Sequence, residues 1–129
     1  MRSQHIKLLY CIIFLFLLPN PVFAGGTSNK WRIEVDGGAN SDGEMMFNIT
    51  PIDGEAIVIH VEVKDGTGEN RVAKTIRDAF KEQLPEGHYK IEVDDGEDVI
   101  VKKKGDTKNF GLTLVTSTVR HTKIDIEKE

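Results

Sequence analysis

Apolar residues recur along most of the chain with a period of two, and once with a period near 3.6. Trp31, Ile33 and Val35 alternate with Arg32 and Glu34, the mark of a strand buried on one face. Met45, Phe47 and Ile49 alternate with Glu44, Met46 and Asn48. Pro51-Ile52-Asp53-Gly54 predicts a turn, with Pro fixing φ and Gly supplying a positive φ. Glu55 to Lys64 (EAIVIHVEVK) is apolar on both faces at its start, which predicts a central strand. The period then changes. Val72, Ala73, Ile76, Ala79, Phe80 and Leu84 fall on one helical stripe, predicting a helix over 69–84 with Thr67 as its cap and Pro85 and Gly87 as its stop. Lys74 and Asp78 are four apart on its polar side. Alternation resumes in Tyr89, Ile91 and Val93, turns at Asp95-Gly96, and continues through Val99 and Val101. Phe110, Leu112 and Leu114 form the next run, and Ile124 and Ile126 the last.

The order β-β-β-α-β-β-β-β predicts an α+β fold: an antiparallel, twisted sheet with a single helix packed on one face. A β-sandwich with a helical insertion is the alternative. The expected core is Trp31, Ile33, Phe47, Ile57, Ile59, Val61, Val72, Ile76, Phe80, Tyr89, Ile91, Val99, Phe110 and Leu112.

The start of the chain breaks both periods. Arg2 and Lys7 precede the uncharged run LLYCIIFLFLL (Leu8 to Leu18), then Pro19 to Pro21, then Val22-Phe23-Ala24. A basic start, a short apolar run and small residues before a cleavage point predict a secretory signal peptide over 1–24, cut after Ala24. As a helix the run spans about 16 Å, too short for a hydrocarbon core of about 30 Å. No stable membrane anchor is therefore expected after cleavage. Cys11 follows the bulky Tyr10, which argues against lipidation. Residues 25–30 (GGTSNK) read as a flexible leader, and 31–129 as one α+β domain. The expected destination is the periplasm or the exterior.

Composition matters mainly through this cut. The precursor has 129 residues, 17 Lys plus Arg and 21 Asp plus Glu, hence net −4. Loss of 24 residues leaves 105 with 15 basic against 21 acidic, net −6, and removes Cys11, the one cysteine. Disulfides and thiol chemistry are excluded from the mature chain, and the charge argues against nucleic acid as a partner.

Little points to catalysis. Ser28, Ser41 and Ser117 lie outside any G-x-S-x-G motif. His60, His88 and His121 fall in expected strands but form no H-E-x-x-H or paired spacing. Asp36 to Gly43 lacks the glycine and glutamate of a calcium-binding EF loop. Asp94, Asp95, Glu97 and Asp98 place four carboxylates at a hairpin tip. These are candidate calcium ligands, although a tight turn calls for Asp and Gly on its own account. No cofactor is expected: Gly66-Thr67-Gly68 enters the helix without a following G-K-[ST]. Lys102 to Lys104 is a basic triplet suited to steering toward an anionic surface.

Ala56 to Leu114 combines an apolar strand, an Asp-Gly-Thr turn, the helix VAKTIRDAF (Val72 to Phe80), the hairpin YKIEVDDGEDVIVKKKG (Tyr89 to Gly105) and FGLTL (Phe110 to Leu114). This stretch resembles the strand–helix–hairpin unit repeated in some phage tail-associated and bacterial surface proteins. The resemblance implies a structural or assembly role and brings no catalytic residue.

The resulting expectation is a small secreted or periplasmic, non-catalytic binding or structural module. Its partner would be a protein or a second copy, met through a sheet edge or an open sheet face bearing Arg32, Met46, Val58, His60, Glu62, Lys90 and Lys102. An envelope protease-inhibitor-like or propeptide-like domain is the alternative, followed by a small hydrolase.

Overall fold

A computed structural model describes residues 26–129. The expected signal peptide, Cys11 and the Ala24 cleavage point lie outside the described residues. Seven strands and one helix follow in the order β1 (Lys30–Asp36), β2 (Gly43–Pro51), β3 (Ile57–Val63), α1 (Glu69–Gln83), β4 (Tyr89–Asp94), β5 (Asp98–Lys103), β6 (Phe110–Ser117) and β7 (Lys123–Lys128). The α+β class and element order match the sequence pattern. The strands, however, form two sheets rather than one: β4-β5-β1-β7 and β3-β2-β6, antiparallel throughout.

Alternation explains the two layers. Trp31, Ile33 and Val35 on β1 are buried, as are Val99 and Val101 on β5. They share one core with Met45, Phe47 and Ile49 on β2 and Ile59, Val61 and Val63 on β3. Each sheet thus has one apolar face to cover, and each covers the other's. Helix α1 links an edge of one sheet to an edge of the other, packing against β3 and against β4, β5 and β1. Its stripe of Val72, Ala73, Ile76 and Phe80 is buried, and Phe80 meets Phe47 edge-on with centroids 5.2 Å apart. Trp31 donates its indole N–H to the carbonyl of Phe110 at 2.8 Å, a polar link between the sheets inside the core. All the expected core residues lie in this cluster, with Ile57 and Tyr89 at its partly buried rim.

Three local expectations are corrected. β3 is an edge strand, not a central one. The N-cap of α1 is Gly68, without a side-chain bond; the Thr67 hydroxyl instead donates to the Lys64 carbonyl at 2.7 Å, closing the preceding turn. In the turn after β2, Asp53 rather than Gly54 takes the positive φ, at 62°. The β4–β5 hairpin turns where its sequence predicts, at Asp95 and Gly96, which have φ of 54° and 79°; with Asp94 paired to Asp98, Glu97 completes a three-residue loop. The segment expected as a leader is held where it meets the fold, since Ser28 pairs through both backbone groups with Phe110 at 3.0 Å.

Candidate functional site

The seven residues expected on one open face divide between two. Arg32, Lys90 and Lys102 lie on the outer face of β4-β5-β1-β7. Met46, Val58, His60 and Glu62 lie on the outer face of β3-β2-β6. With two layers the sheets turn their outer faces in opposite directions. Strand periodicity shows which side chains leave the core, but not which sheet they leave from.

The outer face of β4-β5-β1-β7 is charged in rows. Lys90, Lys102 and Lys30 are neighbours across three strands. The next row is Glu92, Ile100, Arg32 and Glu127, and the one after it is Asp94, Asp98, Glu34 and Asp125. Arg32 organises the middle of this face. Its guanidinium bonds Asp98, Asp94 at 3.1 Å and both carboxylate oxygens of Glu129 at 2.9 Å. Its side chain is 18% exposed and that of Asp98 9%, so this ion pair is shielded from water. The Arg32 pKa is raised, chiefly by the hydrogen bonds it donates to Glu129, and then by those it donates to Asp98 and Asp94, against the cost of burial. Arg32 in turn holds the Glu129 carboxyl below the usual range. Glu34 is pushed up, first by desolvation and then by Asp98, Glu127 and Asp125. Glu97 is pushed up by Glu69 first, then by desolvation and the nearby Asp98 and Asp95.

This arrangement bears on the hairpin-tip carboxylates. Asp94 and Asp98 point to Arg32, leaving Asp95 and Glu97 nearer the turn. Among the described residues no group of three or more His, Cys, Asp or Glu is placed to hold a metal ion. One oxygen of Asp98, Oδ1, is buried without a partner among the described residues. The histidines sit apart in the chain's architecture. His60 is on β3, with Nδ1 3.2 Å from Glu44. His88 precedes β4, and His121 occupies a turn with φ of 74°. The expectation that all three lie in strands therefore holds for His60 alone.

The outer face of β3-β2-β6 has a different character. Val58, Asn48 and Thr113 form one row; His60, Met46 and Thr116 form the next. A bulge between these rows places Val115 as an extra residue on β6. The large apolar side chains left exposed among the described residues are Ile52, Val58 and Val115, at 41%, 43% and 42%. Two are on this sheet, and Ile52 is in the turn leaving β2. Charge is confined to one end, where Glu44 faces Glu62. Thr113 and Val115 were missed by sequence reasoning. The alternation of Phe110, Leu112 and Leu114 already sent them to the opposite face, but nothing local showed which strands flank them.

A third feature is a groove of about 460 Å³ at one end of the sandwich, where the β2–β3 turn, the end of α1 and the β5–β6 loop meet. Its apolar lining includes Pro51, Ile57, Pro85 and Tyr89, with Lys104 and Lys108 beside them. Tyr89 packs edge-on against Phe110 with centroids 5.1 Å apart, and burial pushes its hydroxyl pKa up. No helix among the described residues is long and apolar enough to cross a membrane. No protein-family model matches the chain, and no curated protein matches it.

Proposed function

We propose that this chain is a small secreted or periplasmic, non-catalytic binding module that meets a protein partner through the outer face of β3-β2-β6. The observation that carries this reading is the placement of the exposed apolar side chains. Val58 and Val115 stand on that face, Ile52 at its end, and Met46, Asn48 and Thr113 fill the area between with little charge. Apolar area grouped this way is a common mark of a protein contact. The opposite outer face is unsuited to the same use, because docking there would desolvate rows of carboxylates and lysines. The N-terminal segment supports export, and the resemblance of residues 56–114 to repeated units of tail-associated and surface proteins supports an assembly role over a catalytic one.

Self-association through β6 is a second reading with its own observation. β6 (FGLTLVTS) has no charged side chain, whereas the other edge strands carry Glu62 on β3, Lys90 and Glu92 on β4, and Asp125 and Glu127 on β7. Charge on an edge normally discourages pairing.

One comparison tests both readings. The wild type and a Met46→Glu/Val58→Glu variant are immobilised and exposed to native envelope extract, and both are sized by light scattering. The first reading requires a protein kept by the wild type and lost by the variant, with both eluting as monomers. A concentration-dependent dimer broken by Thr113→Lys favours the second. Identical captured proteins and identical monomeric mass would sink both.

A further inference from the structure

The groove beside Tyr89 borders the Ile52 end of the face just assigned, and its lining combines two kinds of surface. One wall is apolar and comes from three separate elements: Pro51 ends β2, Ile57 opens β3 and Pro85 follows α1. The other wall is the β5–β6 loop with Lys104 and Lys108. Its volume of about 460 Å³ falls in the range of small-molecule sites, which are mostly apolar with a few placed polar groups. Gly87 and Gly105, both lining residues, have no atom within 4 Å of where a Cβ would stand. The space above the backbone is open there.

Within the lining, two lysines face one carboxylate. Lys104 and Lys108 take part in no ion pair among the described residues, and Asp106 is the one carboxylate in the lining. Close by on the outer face, Lys90, Lys102 and Lys30 stand directly opposite one another across three strands. Like charges so placed repel, and an anion near them would relieve that repulsion. Tyr89 lines the groove, and its phenol hydroxyl, whose pKa burial raises, is a donor near neutral pH.

We propose that this groove binds a small organic anion, an apolar chain or ring bearing one carboxylate, with its body against Pro51, Ile57, Pro85 and Tyr89 and its charge at Lys104 and Lys108. A single negative charge is favoured because Asp106 offsets one of the two lysines. Apolar area drives the body in, since each buried methylene contributes about 0.8 kcal/mol. The lysines set the sign of the charge accepted.

The test is amide NMR of the protein titrated with decanoate, with decan-1-ol as the neutral control and with phosphatidylglycerol vesicles as a membrane control. Decanoate should shift the amides of Gly87, Tyr89, Gly105 and Thr107 and bind about tenfold more tightly than decanol. The Lys104→Ala/Lys108→Ala variant, which touches only exposed loop residues, should keep its melting temperature and bind decanoate no better than decanol. Absence of shifts at these amides, equal binding of the two probes, an unaffected variant, or broadening with vesicles alone would each overturn the proposal.

Discussion

The side-chain amide of Gln83, the last residue of α1, bonds both backbone groups of His60 on the edge strand β3. His60 N–H donates to Oε1 at 2.9 Å, and Nε2 donates to the His60 carbonyl at 2.8 Å. A helix side chain thus takes the place of a neighbouring strand at the middle of an open sheet edge. Exposed edges recruit other strands, and here one amide blocks the point where a fourth strand would register. Gln83→Leu should cost about 1–2 kcal/mol, two modest hydrogen bonds. It should also speed hydrogen exchange at the His60 amide more than at Val61. Unchanged exchange at His60 would show that the bond does not protect the edge.

Arg32 is the second prediction. Arg32→Met strips Asp98 of its cation in a shielded position, and breaking such a pair should cost about 3 kcal/mol. Adding Asp98→Asn to that variant should recover part of the loss, because the charge left behind is gone. Urea unfolding of the two variants checks this. A loss of under about 0.5 kcal/mol for Arg32→Met would place the cluster with ordinary surface ion pairs.

The raised pKa values of Glu34 and Glu97 carry a sign. An acid with a folded pKa above its unfolded value favours the native state fully below the unfolded value, and that contribution is lost as pH rises through the folded one. Glu34→Gln should therefore melt higher than wild type near neutral pH and coincide with it in acid. Glu129 has the opposite sign. Its lowered pKa gives stability that is present above the ordinary carboxylate value and lost as pH falls through the folded one. Glu129→Gln should melt lower near neutral pH, with the difference closing in acid. Melting curves across pH read both, and parallel curves would refute the assignment.

Gly37 follows β1 with φ of 93°, and a Cβ there would stand 2.5 Å from the His121 carbonyl oxygen. Backbone, not a movable side-chain tip, occupies the space. Its N–H also donates to Glu69 on α1 at 2.7 Å. Gly37→Ala should therefore cost more than the roughly 1–2 kcal/mol of placing an L side chain in left-handed backbone alone, about 2–3 kcal/mol in all. Chemical denaturation measures it. A neutral result would mean that the turn between β6 and β7 yields easily.

Period-two and period-3.6 patterns made the strands, the helix and nearly the whole core legible, because burial on one face is written into alternation. The Asp95-Gly96 hairpin was legible because few residues accept two successive positive φ values. Sheet membership was not. β1 pairs with β5 and β7, and no local feature of Trp31 to Val35 names partners so distant. For that reason alternation alone puts Arg32 and Met46, both outward-facing, on one surface, whereas they sit on opposite sides of the molecule. β3 looked central because Ala56 and Val58 add apolar residues to its second face. The fold leaves Val58 exposed instead, and that mismatch is what marks the proposed docking face.

The pairing of β1 also bears on how the chain reaches this state. Its two neighbours, β5 and β7, both come from the C-terminal part of the chain. The β2–β3 and β4–β5 hairpins can close early from local contacts, while β1 waits for its partners across long loops. Until then Trp31, Ile33 and Val35 are an unpaired apolar strand at the front of a growing chain. A variant that delays β7, such as one truncated before Lys123, should therefore aggregate through that stripe rather than simply lose an edge strand.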